Sequence, residues 1–516
     1  MRPPCDEAVV RSGSAAAPCG SQARAWILAA TIIGSSMAFI DSTAVNVALP
    51  ALQSSFHATV VDVQWVVESY GLFLSALILV GGALGDLLGR RRVFLLGVTC
   101  FALASVYCGI APTINHLILA RSVQGVGAAL LVPGSLAIIS VSFDEKNRGQ
   151  AIGTWSGFTA ITAALGPVLG GWLVDHGSWR WVFFINLPLA AAVIAISLRH
   201  IPESRNATKA GIDWLGALIV TAGLGGLIYG IIESAKRGWG DPLVLAGLVV
   251  GAGCLVAFVF VEADVASPML PLKLFRSSTF SGSNLVTLFL YSALGIFFFL
   301  FPLNLIQVQN YSPTATGAAM LPLIVLIFVL SRWSGGLVAR YGARLPLIVG
   351  PLVAASGFLL FAASSVGGSY WATFFPAMVV LGLGMAVTVA PLTTVVMNSV
   401  SQDRVGAASG INNAVARVAG VIAIAALGIV MVDAFGARLH QILASLSLPA
   451  GIMETLQSNQ IKLAGLPIPS KLDPTTRAAI QQAIASSFVF GFRIVMFIGA
   501  ALAAASAAVT WLMIPN

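Results

Sequence analysis

Charge is what this sequence has least of. Only 9% of its 516 residues are Asp, Glu, Lys or Arg, against about 25% in soluble domains, so most of the chain is not built to face water. Cysteine is scarce as well: Cys5 and Cys19 lie in the N-terminal tail and Cys100, Cys108 and Cys254 in apolar runs, which leaves no disulfide framework. The histidines, His57, His116, His176, His200 and His440, fall in connections or at the ends of apolar runs. None has the spacing of a metal ligand set, so no metal is assigned. The chain also lacks a phosphate-binding glycine loop for ATP, a nucleophile and base constellation, and a basic tract interleaved with aromatics. A membrane-embedded enzyme and a nucleic-acid binder are therefore disfavoured, no catalytic residue is assigned, and no cofactor is called for.

What the chain has instead is apolar length. Hydrophobic residues make up 58% of it and the mean hydropathy is +0.93. Runs of about 20 apolar residues, enough to cross a bilayer as a helix, stand near 26–49, 63–85, 93–111, 114–140, 149–174 and 180–199. Two more lie near 213–232 and 242–262, and six again near 280–306, 314–339, 345–365, 370–399, 406–433 and 486–513. The fold expected is all-α and integral to the membrane, with fourteen spans arranged six, two, six. Its parts are a disordered cytoplasmic tail (1–24), an N-terminal six-helix bundle (25–200), two inserted helices with linkers (201–279) and a C-terminal six-helix bundle (280–516). The first run exceeds the 7–15 residues of a signal-peptide core, so it reads as an uncleaved span. Residues 434–485 form the one long connection, read as a spacer with short amphipathic surface helices, a lid being the other reading.

Orientation follows from the basic residues. Connections on the N-terminal side hold 16 Lys and Arg and those opposite hold 7, while Arg121, Arg332, Arg417 and Arg493 fall within spans. That bias places both termini in the cytoplasm.

One carboxylate, Asp41, stands near the middle of the first span. On a helix, Gly34, Ser35, Ala38, Asp41, Ser42 and Val45 gather on one small, polar side, with Ile33, Ile40 and Val47 opposite. A charge at that depth costs roughly 2.5 to 3.5 kcal/mol on insertion scales, so it faces protein or water. Asp41 is read as taking up and releasing a proton; an aspartate bonded to a neighbour for packing alone is the alternative. Between spans two and three, Gly82-Ala-Leu-Gly-Asp86-Leu-Leu-Gly89-Arg90-Arg91-Arg92 combines glycines that permit close helix approach with charges able to bond across the joint. The phrase recurs at Gly335 to Arg344, with Gly335 against Gly82, Gly342 against Gly89, and Ala339 where Asp86 stands. Such an internal repeat fits two related bundles.

At this point the sequence resembles the major facilitator superfamily, specifically its fourteen-span drug:proton antiporters of the EmrB/QacA type. The resemblance rests on Ile40-Asp41-Ser42-Thr43-Ala44-Val45-Asn46-Val47-Ala48-Leu49-Pro50, the loop phrase at 82–92, and Arg121-Ser-Val-Gln124-Gly125-Val-Gly127. Gly166-Pro167-Val-Leu-Gly170-Gly171 and Trp179 to Pro188 complete it. Two departures stand out: Leu87 follows Asp86 where a basic residue is common, and the second copy lacks its acid.

The resemblance implies a proton-coupled exporter of hydrophobic or cationic small molecules working by alternating access. A dedicated exporter of one metabolite or antibiotic on the same fold is the alternative, because fold does not set substrate. Asp41 and Arg121 would couple protons, with Gly82, Asp86, Gly89, Arg90 and Arg91 as the gating motif. Gly166, Pro167, Gly170 and Gly171 would form the antiporter hinge or seal. Asn46, Glu68, Gln124 and Arg417 are candidates for a substrate cavity. Glu68 suits proton sensing, cationic drugs, or a watery interfacial position; Arg417 and Arg493 suit substrate contact or helix-to-helix bonds. Asp41→Asn is expected to abolish efflux while leaving folding largely intact. Implied partners are drug-like molecules, protons and the lipid bilayer of the inner (cytoplasmic) membrane; nothing in the sequence identifies a periplasmic adaptor.

Overall fold

A computed structural model of the protein describes residues 21–143, 145–205, 213–265, 268–400, 405–446, 448, 452–453, 455–456, 459–468 and 472–515. The expected tail at residues 1–20, and Cys5 and Cys19 with it, lies outside them. Among the described residues, 14 helices are long and apolar enough to cross a membrane. They are α1 (Gln22–Phe56), α2 (Val60–Leu88), α3 (Arg90–Ile110), α4 (Ile114–Ser142), α5 (Ala151–His176), α6 (Trp181–His200) and α7 (Trp214–Arg237). The remainder are α8 (Pro242–Asp264), α9 (Ser278–Val308), α10 (Pro313–Ser331), α11 (Arg344–Ala362), α12 (Tyr370–Asn398), α13 (Ala408–Ala444) and α14 (Pro474–Met513). A backbone in hydrocarbon must satisfy its own polar groups, which is why these apolar runs are helices.

The largest difference from the sequence reading lies at the long connection. Segments read as short surface helices continue the spans instead: α13 runs to Ala444 and α14 starts at Pro474. Phe435, Leu439 and Leu443, spaced by four, stay buried to the end of α13, so nothing favours a break. Asp473 caps α14 by accepting from the amides of Thr475 and Thr476, with Pro474 at the first helical position. The connection proper is thus 445–473. Its 3₁₀ turn Gln460–Gly465 is packed, with Leu463 fully buried.

The chain divides into two compact units. The first comprises Met1–Val45, Ser69–Leu224 and Ala252–Leu272, and the second Asn46–Glu68, Gly225–Gly251 and Lys273–Asn516. In the first unit, α3 and α4 cross at glycines: a Cβ on Gly97 would lie 2.9 Å from the Gly127 carbonyl oxygen, and one on Gly127 2.6 Å from the Phe101 nitrogen. Small residues at such crossings let backbones touch where no hydrophobic force separates protein from lipid.

In the second unit, Phe297 packs with Phe301, Phe358 and Phe361, at centroid separations of 5.0, 6.1 and 4.8 Å. The α1–α2 turn is bonded into this unit. Gln53 Nε2 donates to the Lys462 carbonyl at 2.9 Å, Gln307 Nε2 to Gln53 Oε1 at 2.8 Å, and Gln64 Nε2 to the Ile424 carbonyl at 3.3 Å.

The internal repeat has a backbone counterpart. Gly89 and Gly342, aligned by the two copies of the loop phrase, adopt φ of 114° and 76°, a region that side-chain-bearing residues rarely enter.

Candidate functional site

Asp41 is fully buried in the first unit and is the acceptor at the centre of a polar cluster. Arg121 of α4, 1% exposed, donates from Nη1 to Asp41 Oδ2. The same Nη1 reaches Gln124 Oε1 at 2.6 Å. Gln124 Nε2 donates to Asp41 Oδ1 at 2.9 Å and to Ser105 Oγ at 2.8 Å. Asn186 of α6 donates from Nδ2 to Asp41 Oδ1 and to Ser105 Oγ, both at 3.3 Å. The carboxylate thus takes three donors from α4 and α6, with Ser105 of α3 as a shared acceptor.

The cluster is legible in local sequence. Arg121 and Gln124 are three apart, so both side chains leave α4 on one face and meet the same carboxylate. Arg121 is also sandwiched by rings, with its guanidinium carbon 4.3 Å from the Tyr70 centroid and 5.9 Å from that of Phe183. Tyr70 donates its hydroxyl to the Ala38 carbonyl at 3.3 Å. Burying one charge alone in this setting is prohibitive, whereas an ion pair with every remaining lone pair engaged is tolerable.

The α5 glycines pack against the stretch of α1 that bears Asp41. A Cβ on Gly166 would lie 1.9 Å from Thr43 Oγ1 and 3.1 Å from the Ile40 carbonyl, and one on Gly170 would lie 2.8 Å from the Ala44 Cα. Pro167 and Gly171 are buried between and beside them. Nearer the start of α1, Trp155 Nε1 donates to Ser35 Oγ at 3.1 Å, Ser35 Oγ to Ser135 Oγ at 2.9 Å, and Thr162 Oγ1 to Ser36 Oγ at 3.0 Å.

At the α2–α3 joint, Arg90 grips Asp86 Oδ1 with Nε at 3.0 Å and Nη2 at 2.8 Å. Gly82 lies 3.7 Å by its Cβ position from Pro133, while neighbouring Gly81 makes the tight approach, 2.0 Å from the Ala129 carbonyl oxygen. Arg91 does not turn to Asp86: its Nη1 donates to the Ile201 carbonyl at 3.0 Å. Glu203 caps α3 by accepting from the Arg91 and Arg92 amides at 3.1 and 3.2 Å. A Cβ on Gly89 would fall 2.6 Å from Glu203 Oε1.

Among the remaining candidates, Glu68 is not exposed to water. It lies eight residues into α2, roughly 12 Å along the axis, is fully buried, and neither carboxylate oxygen has a hydrogen-bond partner among the described residues. Asn46 and Arg417, like Glu68, belong to the second unit. Asn412 on the same helix as Arg417 bonds Asn284 Oδ1 and Thr287 Oγ1 on α9 at 3.2 and 2.7 Å. Arg493 holds the Ser364 carbonyl with Nε and Nη2 at 2.8 and 2.6 Å.

Several partners were not singled out from sequence. Ser105 and Tyr70 are ordinary residues for apolar spans and give no signal, and Phe183 lies in the Trp179 to Pro188 phrase without being marked out in it. Asn186 had one, its place within the Trp179 to Pro188 phrase. Glu203 follows a span end, where an acid looks like surface.

The chain matches the Major Facilitator Superfamily over residues 31–424. It is 36% identical over 419 residues to the Multidrug resistance protein Stp of Mycobacterium tuberculosis, covering 80% of this chain and 77% of that one. It is 32% identical over 510 residues to the Tetracenomycin C resistance and export protein of Streptomyces glaucescens, covering 96% and 93%. A crystal structure of a bacterial homolog of the human lysosomal transporter Spinster, inward-facing and unoccupied, superposes with a TM-score of 0.66 at 18% identity, covering 95% and 98%. The chain belongs to the Major Facilitator Superfamily of membrane transporters, and its fourteen spans fit that superfamily's drug:proton antiporter class.

Proposed function

We propose that the protein exports drug-like small molecules in exchange for protons, and that Asp41 is the proton carrier. The observation behind this is the fully buried carboxylate with three donors, facing an arginine that is itself only 1% exposed. Protonation of Asp41 frees Arg121 and loosens α1 from α4 and α6; loss of the proton closes the pair again. Coupling follows if substrate and proton compete for the same open arrangement. The α5 motif at Gly166, Pro167, Gly170 and Gly171 acts as the seal, because any movement of α1 must slide on it. The α2–α3 joint of Gly82, Asp86, Gly89, Arg90 and Arg91 is the gate that holds one state.

Glu68 supplies a second ionisable point. A buried acid without a partner needs a proton or a cation to complete it, which suits a cationic substrate. Asn46, Gln124 and Arg417 are the other cavity candidates. The names of the relatives, one for multidrug resistance and one for export of a single antibiotic, support both a broad and a dedicated exporter. The basic bias of the connections supports cytoplasmic termini in the cell (inner) membrane.

The test is reconstitution in vesicles with an imposed pH gradient, following a panel of compounds with and without an uncoupler. Uncoupler-sensitive uptake of several unrelated compounds is the expected result. Uptake of a single class would select the dedicated exporter, and uptake indifferent to the uncoupler would end the proton-coupled reading.

A further inference from the structure

Within the second unit, a cavity of about 340 Å³ opens where α13 ends, α14 begins and α11 passes into α12. Arg438 and Arg493 both line it, together with Gln482, Ser486, Ser365 and Phe490. No carboxylate lines it, and among the described residues neither arginine is in an ion pair. Arg493 is fixed by its two bonds to the Ser364 carbonyl, which engage Nε and Nη2 and leave Nη1 available. Arg438 engages one terminal nitrogen with Gln441 Oε1 at 2.7 Å and lies 5.6 Å from the Phe490 centroid.

Two guanidiniums sharing a small cavity repel each other, and the cost is removed by an anion between them. The remaining donors, an amide at Gln482 and hydroxyls at Ser486 and Ser365, suit an oxyanion with several acceptors. The lining also holds apolar side chains, Val489, Val366 and the 40% exposed Phe490. Beside the same α11–α12 connection stands Trp371, 69% exposed and packed on Tyr370 and Phe375 at 5.3 and 5.0 Å. Exposed aromatics at span ends mark the headgroup layer of a bilayer.

We propose that this cavity binds the phosphodiester headgroup of an anionic phospholipid, with Arg438 and Arg493 on its oxygens and the start of an acyl chain along Val489 and Phe490. Planar guanidiniums match phosphate in two-point fashion, which an ammonium does not. The site shares no residue with the Asp41 cluster and does not depend on the transport reading.

The experiment uses the purified full chain, delipidated, and titrated with phosphatidylglycerol, phosphatidylcholine or inorganic phosphate while thermal unfolding and native mass spectra are recorded. Phosphatidylglycerol is expected to raise the unfolding temperature and to remain bound as one retained copy, with phosphatidylcholine much weaker. Arg438→Gln should weaken phosphatidylglycerol about tenfold or more, the loss of one charge-assisted contact, while Arg438→Lys recovers only part. Gln482→Leu, which leaves the Arg493 anchor intact, should weaken it less. Equal binding of the two lipids, or an Arg438→Gln protein that binds phosphatidylglycerol normally, would overturn the proposal. Saturation by inorganic phosphate with no advantage for the lipid would assign the cavity to a free anion instead and overturn it too.

Discussion

Replacing Asp41 with asparagine probes the buried pair through both stability and coupling. The carboxylate accepts from Arg121, Gln124 and Asn186, and an amide offers one oxygen and turns an NH₂ toward the other donors. Arg121 then remains 1% exposed and loses the charge of Asp41, and removing one partner of a buried pair costs about 3–5 kcal/mol. The Tyr70 ring at 4.3 Å contacts Arg121 in both forms and offsets none of that, so a net loss of about 3–5 kcal/mol is expected. This departs from the sequence-based expectation of a largely intact fold, which did not include the crowd of donors. Thermal unfolding of Asp41→Asn, Arg121→Gln and the double variant in detergent measures it, beside gradient-driven efflux in vesicles. The double variant should be more stable than the sum of the single losses allows, because it leaves no lone charge, yet it should not transport. Additivity of the stability losses within about 0.5 kcal/mol would refute the pair. Undiminished efflux by Asp41→Asn would refute the coupling.

Gly170→Ala places a methyl 2.8 Å from the Ala44 Cα and should lose about 1–3 kcal/mol by overpacking together with tight exchange, read as proton leak without drug; Gly157→Ala, with nothing within 4 Å, should leave both unchanged. Glu68→Gln breaks no hydrogen bond, so the unfolding temperature should hold or rise while transport of cationic compounds falls; a clear destabilisation would mean that Glu68 is structurally engaged. Glu203→Gln should cost about 1–3 kcal/mol, toward the lower end because the side chain is one-fifth exposed, and should expose the start of α3 to protease. Asp473 has its carboxyl held below the usual carboxylate range by the Thr476 hydroxyl and by the Thr476 and Thr475 amides. A depressed folded value means its cap is present above the unfolded value of about 3.9 and is lost as pH falls through the folded one. Hydrogen exchange at the first turn of α14 should therefore rise only in acid, whereas in Asp473→Ala it should be fast at every pH.

How much of this was legible beforehand depends on what each feature needed. Fourteen spans need only runs of apolar length, and those are local. Arg121 and Gln124 were readable because their spacing on one helix sets a shared direction. The α13 and α14 extensions were not, because Asp473-Pro474 was not read as a helix start and the buried face of Phe435, Leu439 and Leu443 is interrupted by polar residues that hide the continuity. Asn186, Ser105 and Tyr70 reach Asp41 and Arg121 from three further helices, and no spacing in the chain encodes a meeting of that kind. For Glu68 the sequence left a proton or drug site and a watery interfacial position open, because a run's apolar length does not say what covers its first turns; the side chain is buried.

Glu203 arrives from the segment just past α6 and closes over the amides that open α3. During synthesis from the N-terminus, then, the fastening of the α2–α3 turn is in hand once about two-fifths of the protein has been made, before α7 emerges. The first six spans can set this charged corner while the rest of the polypeptide is still on the ribosome, which shortens the time that three adjacent arginines spend without a partner at the membrane surface.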